Sequence, residues 1–332
     1  MLANLTSYLA RQAASKPRSE FSRAARRISS NLVRQCRIAL VLARPQFAPL
    51  VAKYPYLLYK YIEDCHLAQR LTVAQRAACH HHHYRYLLSR FPDPLLAQVL
   101  DRGVTLSSVR REQTGFAIAL KLADPWLHEG ELSLNLLADG VPFYNLSFSF
   151  VPGSTIGLGP GVRDAILVSR LQGQRGCQPQ VRQAFRALRD RPATLLLAAL
   201  GGLAQALGIT AVEIASACNQ SSLGQDQDQC KRLRRPYDEF LLSQGAILGA
   251  SGYFHLPVPL PERPFELVSR NNRARAHKRR AFKSQLTAEV VSTLRASLES
   301  QPSPAKPAAN HPSWSLRSLF MPTVPQTAHL KH

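Results

Sequence analysis

Leu132, Leu134 and Leu136 alternate with Glu131, Ser133 and Asn135, and Leu146, Phe148 and Phe150 alternate with Asn145, Ser147 and Ser149. Period-two alternation is the mark of a strand with one buried face, so these stretches predict a β-meander. Ala165–Gly173 extends it as a third strand. Phe116, Ile118, Leu120 and Leu122 alternate with Ala117, Ala119, Lys121 and Ala123, a half-buried strand within 110–122. From Pro192 to Leu207 the chain is apolar nearly all round, with proline in the first turn and Gly208 beyond the end, which predicts a buried helix.

Around this centre the pattern becomes helical. Residues 1–44 form a basic stretch with apolar positions such as Ile28, Leu32, Ile38 and Leu42 on one side. Such a segment either lies at a membrane surface or packs on the domain with its arginines solvated. Thr72-x-x-Gln75 opens a helix as a capping box, running to about Arg90 before Pro92. Leu95–Leu106 reads as a further helix interrupted at Gly103. Val181–Leu188 is a short helix, Ile209–Ala215 a β-branched strand, Pro236–Gln244 a helix and Gly252–Val258 a final strand. A last helix is expected from Asn272 to Leu298, and the proline- and serine-rich 300–332 reads as a disordered tail. The fold class is α+β: a basic helical region at 1–110, a mixed-sheet α/β domain at 111–285, and a helix end with tail at 286–332.

Charge changes the picture. The 332 residues carry 42 Lys and Arg against 21 Asp and Glu, a net charge of +21. An anionic partner is implied. The charge gathers at Arg23, Arg26 and Arg27 near one end and at Arg273, Lys278, Arg279 and Arg280 near the other, and these are the candidate anionic-lipid contacts. Nucleic acid is the weakest partner class, because the late basic run has only Phe265 and Phe282 beside it for stacking. Six cysteines without a C-x-x-C pair read as reduced thiols. Residues 1–16 lack the pattern of a secretory signal, and the longest apolar run, Thr194–Ala204, is too short to span a bilayer.

The run His80-His81-His82-His83 invites a metal reading. Neighbours on a helix point about 100° apart, so the four cannot converge on one ion, and no carboxylate stands close in sequence. No metal is expected.

Meander, strand, turn, long helix, strand, helix and last strand follow in an order that resembles the acyl-CoA-dependent N-acyltransferase fold. Arg170-x-x-Gly173-x-x-Gly176 loosely matches that family's phosphate-binding turn, with Arg175 standing where the family has glycine or alanine. The resemblance implies acyl-CoA as a possible cofactor, held by Arg170, Gln172, Gly173 and Gly176. Its chemistry needs a base, for which Glu131 and Glu213 are candidates, and an acid for the leaving thiol, Tyr253 or Tyr237.

A closer resemblance, over residues 55–285, is to the bacterial VirK/YbjX family. It is carried by His83-Tyr84, Glu129-Gly130-Glu131-Leu132-Ser133-Leu134, Tyr144-Asn145-Leu146-Ser147-Phe148, Leu171-Gln172-Gly173, Tyr237-Asp238-Glu239-Phe240 and Gly252-Tyr253-Phe254-His255-Leu256-Pro257. It implies a bacterial cytoplasmic protein, peripheral at the inner membrane, linked to virulence, envelope integrity or resistance to host peptides, with an envelope component as a possible partner. Its biochemical activity is unknown. This copy departs from the family after the Ile209–Ala215 strand, where Ala217 and Gln220 stand in place of asparagine and histidine. A non-catalytic adaptor on anionic lipid is the alternative to acyl transfer.

Overall fold

The computed structural model describes residues 26–220, 227–262 and 264–299. Among the described residues, the helices ahead of the sheet include α1 (Leu32–Leu42), α2 (Ala48–Lys53), α3 (Val73–Arg90) and α4 (Asp93–Asp101). The strands β1 (Val104–Arg111), β2 (Thr114–Leu122), β3 (Leu132–Ala138), β4 (Val141–Pro152) and β5 (Asp164–Gly173) follow as a meander. Then come α5 (Gln178–Leu188), α6 (Pro192–Leu207), β6 (Ala211–Ala215), α7 (Gln227–Ser243), β7 (Ile247–Leu248), β8 (Tyr253–Pro257) and α8 (Arg273–Glu299). The eight strands form one mixed sheet in the order β1-β2-β3-β4-β5-β6-β8-β7. Only β5 and β6 run parallel.

Register explains the burial. Cross-strand partners share a face, and one apolar row runs Leu122, Leu132, Phe148, Val168, Ile214, Phe254 across six strands. Helix α6 packs on this side; its leucines from Leu195 to Leu207 are buried in the same core. Truncating one of them, as in Leu196→Ala, would cost about 2–5 kcal/mol. The opposite face is polar where the meander lies, with rows Lys121, Ser133, Ser147, Arg170 and Ala119, Asn135, Asn145, Gln172.

Strand β4 outruns β3. Leu132 is the last residue of β3 to pair with it, opposite Phe148, and helix α3 covers what lies beyond. His83 accepts the Phe150 N–H at Nδ1, 3.1 Å away, and its ring stacks on Phe150. Helix α3 itself starts at the expected capping box: Thr72 accepts from the Gln75 N–H, and Gln75 accepts from the Thr72 N–H.

Several boundaries differ from the sequence reading. The helix expected over Leu95–Leu106 stops at Asp101, because Gly103 turns the chain at φ +86° and Val104 enters β1. A Cβ at Gly103 would sit 2.9 Å from the Cβ of Lys121, so the turn requires glycine. Helix α7 begins at Gln227 and carries Pro236 in its interior. The two-residue edge strand β7 was not foreseen. Helix α1 packs on α3 through Ile38, Ala39 and Leu42, while Leu32, Val33 and Leu40 are exposed. One hydrophobic core extends from Ile28 to Leu294, across residue 110. Cys36, Cys65, Cys79 and Cys177 are free, but Cys218 is disulfide-bonded, against the expectation of reduced thiols throughout. The tail at 300–332 lies outside the described residues, and no helix among them is long and apolar enough to cross a membrane.

Candidate functional site

The sheet forks. Strands β5 and β6 pair only through Ile166, Leu167 and Val168 with Val212, Glu213 and Ile214. Beyond that point β5 continues to Gly173 with β4 as its one neighbour, while the chain after β6 bends away through a 3-10 turn at Ala217–Asn219. A β-bulge marks the fork. Ser147 pairs with Arg170 and Phe148 with Val168, so Ser169 is an extra residue on β5. A bulge ends regular pairing and re-aims the strand. The backbone groups of Ser169–Gly173 that face away from β4 are left without a strand partner.

A cavity of about 600 Å³ opens at this end of β5. Leu171, Val181, Phe185, Pro192 and Phe240 make its walls apolar; Tyr144, Gln172, Gln220 and Tyr237 bring polar groups to it. The Tyr237 hydroxyl is buried with Gln220 beside it as its hydrogen-bonding neighbour, and burial holds its pKa well above the ordinary phenol value. It is therefore a protonated donor at neutral pH. Gly173 lines the cavity against the Tyr144 ring. Arg182, Arg186 and Arg191 stand exposed around it.

Behind this cavity, Arg170 is tied to Glu129, Nη1 to Oε2 at 2.5 Å. With its amide turned so that oxygen faces the guanidinium, Gln172 accepts from Arg170 Nε at 2.6 Å. The second oxygen of Glu129 is buried with no partner. Gly130 fixes this carboxylate's approach: at φ +117°, a Cβ there would lie 2.8 Å from the Phe148 nitrogen.

Glu131, two residues on, has a different setting. Its carboxylate is buried beside Lys60 Nζ (3.4 Å), His80 Nδ1 (3.2 Å) and His66 Nε2 (3.6 Å), and it accepts from the Tyr84 hydroxyl at 2.8 Å. Burial alone would raise its pKa; Lys60 and the histidines outweigh that and hold it well below the usual carboxylate range. His80 Nε2 meets the Leu57 carbonyl at 2.8 Å, so it carries a proton and donates. His66, His80 and Glu131 converge within 4.8 Å as a possible ligand set. The sequence argument that His80–His83 cannot converge on one ion holds for the run, but its premise that no carboxylate is available is corrected: the fold brings Glu131 and His66 from elsewhere. The set fits a divalent cation poorly, because the Lys60 ammonium already balances the same carboxylate oxygen.

The remaining candidates lie apart. Glu213 is buried and pairs with the half-exposed His255, Oε1 to Nδ1 at 2.8 Å. Burial raises the Glu213 pKa, and His255 opposes the shift. Tyr253 packs with Leu67, Leu71 and Cys79 on the far side of the fork, its phenol pushed up to about 12 by burial. Neither lines the cavity, nor do Arg170 and Gly176. Sequence reasoning gave no role to Glu129, Gln220 or His255. Gln220 was visible as a departure from the family pattern, and the structure puts that departure at the cavity.

Of the basic candidates, Arg23 lies outside the described residues. Arg27 is bound to the Ile62 carbonyl and Asp64, Arg279 to the Arg189 carbonyl, and Arg280 to Glu262 and the Phe265 ring. Arg26, Arg273 and Lys278 are exposed.

Together these features define an α+β protein whose mixed sheet opens at a parallel pair, with a cavity at the opening. The chain belongs to the DUF535 family, described as a protein of unknown function, whose model matches residues 19–292. This is the VirK/YbjX family that the sequence motifs resemble. No curated protein and no solved structure matches the chain.

Proposed function

We propose that the protein transfers an acyl group from a phosphopantetheine thioester, such as acyl-CoA, to an amine or hydroxyl acceptor. The observation that carries this reading is the fork: a bulge at Ser169, five residues of β5 without a second strand neighbour, and a largely apolar cavity against the last three of them, Leu171–Gly173. A pantetheine arm is an extended chain with two amides. It can lie along the open edge of β5 as a further strand does, exchanging hydrogen bonds with the backbone.

The residues fit the steps of such a transfer. A backbone N–H left open along Leu171–Gly173, where β5 lines the cavity, polarises the thioester carbonyl as the acceptor attacks and holds the oxyanion. The acceptor's proton goes to the free oxygen of Glu129, which lies behind the cavity lining and is held there by Arg170. Collapse of the tetrahedral intermediate breaks the C–S bond, and Tyr237 gives its proton to the departing thiolate. Glu131, Glu213 and Tyr253 take no part in this scheme. Glu131 is committed to Lys60 and His80, Glu213 is paired with His255, and Tyr253 packs with Leu67, Leu71 and Cys79. The test is binding of acyl-CoA to the purified protein, read as a saturable rise in melting temperature that Gly173→Trp abolishes.

A second reading concerns location. The outward side of α1 exposes Leu32, Val33 and Leu40 among Arg26, Arg34, Arg37 and Arg44. Apolar side chains ringed by cations suit an anionic lipid surface, each cation contributing about 1 kcal/mol. This supports a peripheral position at the cytosolic face of a bacterial inner membrane, in an envelope role. Sedimentation with anionic but not neutral vesicles tests it.

A further inference from the structure

The cavity at the fork shares a wall with a second one. Phe185 and Arg186 also border a groove of about 850 Å³ between α5 and the start of α8. Its lining carries Arg111, Arg186, Arg189, Arg275, Lys278 and Arg279 against a single acid, Glu112. None of these six cations has a carboxylate partner among the described residues; Arg279 spends its Nε on the Arg189 carbonyl, and Arg111 lies over the Phe282 ring. Phe185, at the shared wall, is 45% exposed. Unpaired cations this dense repel one another and destabilise the free protein, so they point to a ligand of opposite charge.

The turn after β5 suggests which ligand. Coenzyme A brings a diphosphate, which is best held by an unbroken run of backbone N–H groups at a helix start. Here that run is interrupted. The Gln174 N–H is bound to the Phe143 carbonyl and the Cys177 N–H to the Gln174 carbonyl, while Pro179 in the first turn of α5 has none. Cys177 gives no side-chain cap. The positive charge instead lies outside the turn, on the surfaces of α5, α8 and the β1–β2 end, where it spreads further than one nucleotide would use.

We infer that the thioester is delivered by a small acidic carrier protein, which docks on the Arg111–Arg186–Arg189–Arg275–Lys278–Arg279 face and threads its phosphopantetheine arm past Phe185 to the fork. The inference rests on the acyl-transfer reading and names the donor for that site. An arm attached to a carrier has one phosphate in place of a diphosphate and needs no adenine slot. The carrier's acidic helices supply the charge that matches the groove.

The test uses the full chain and three probes: a bacterial acyl carrier protein loaded with palmitate, palmitoyl-CoA, and uncharged palmitoyl-pantetheine. The loaded carrier should bind at least roughly tenfold more tightly than palmitoyl-CoA at low salt, and lose that advantage as salt approaches about 0.3 M. Arg275→Glu with Lys278→Glu, both exposed on α8, should weaken carrier binding roughly tenfold or more and leave palmitoyl-pantetheine binding unchanged. Palmitoyl-CoA binding as tightly as the carrier, with the double variant indifferent, would overturn the carrier and leave acyl transfer standing. Capture by anionic vesicles with no carrier binding would assign the groove to lipid and also overturn it. Failure of all three thioesters would remove the acyl-transfer reading itself.

Discussion

Val168 of β5 faces Ile214 of β6, and theirs is the last rung between the two strands. One residue later, Ser169 bulges out of the β4 pairing, and β5 continues alone beside β4. The parallel rung and the bulge work together. Parallel strands are joined by a crossover, here the turn, α5 and α6, and that crossover brings helix α5 to the open end of β5. The cavity is therefore a consequence of topology, and its walls come from elements that the sheet has to place there.

Tyr237 is the residue whose loss should separate binding from chemistry. Tyr237→Phe removes a buried hydroxyl whose hydrogen-bonding neighbour is Gln220, so stability should fall by no more than about 1 kcal/mol. Thiol release from the thioester should fall roughly 100-fold or more at unchanged donor affinity. Steady-state turnover and a binding titration on the same variant check this. Equal turnover in Tyr237→Phe would remove Tyr237 as the acid.

The network around Glu131 is expected to act on stability alone. Lys60→Met leaves a buried carboxylate with fewer counter-charges and should cost about 3–5 kcal/mol. Lys60→Met combined with Glu131→Gln should recover part of that loss, because the uncompensated charge is gone. Chemical denaturation of the two variants and the wild type measures both. A double variant no more stable than the single would show that the ion pair is not the source of the cost.

Acid should weaken the fold earlier than carboxylate titration would. Burial holds His83 down to about 3 and His66 well below its ordinary 6.5, so the folded state keeps both neutral. Their folded values are depressed below the unfolded ones. Stability is then full above about pH 6.5 and declines as pH falls below it, for His83 by on the order of 1.4 kcal/mol per unit toward pH 3, with His66 adding in the same direction. Melting temperature should drop steadily from pH 6.5 to 4. A flat profile over that range would contradict the neutral, buried state of these histidines.

On α1, Val33→Glu and Leu40→Glu replace exposed side chains and should leave melting within experimental error. They should abolish most sedimentation with anionic vesicles, since each puts a charge into the lipid-facing stripe. Unchanged vesicle binding would move the membrane contact elsewhere.

Much of the architecture was legible in the chain. The alternation at Leu132–Leu136 and Leu146–Phe150 carried the meander, and the apolar Pro192–Leu207 carried the covering helix. Thr72 and Gln75 gave the start of α3. Less legible was anything that depends on pairs distant in sequence. Nothing near His80 announces Glu131, Lys60 or His66; the fold brings Lys60, His66 and His80 within 3.6 Å of the Glu131 carboxylate. Glu129 and Glu131 look equivalent in sequence, yet Gly130 between them sends one carboxylate to Arg170 and the other to Lys60. The bulge at Ser169 has no composition signal, so the fork was not legible in the sequence. The start of α7 was misjudged because Pro236 reads as a helix opener, whereas tertiary packing tolerates it within the helix.

The most direct test of the central claim is a thermal-shift titration of the protein with palmitoyl-pantetheine and palmitoyl-CoA, repeated on Gly173→Trp. The indole would project from β5 into the cavity beside Tyr144 and Val181. The account predicts a saturable stabilisation of the wild type by at least one of the thioesters and none in the variant, with the variant's own melting temperature showing it folded. A wild type that neither thioester stabilises, or a variant stabilised as much as the wild type, would contradict a thioester site at the fork.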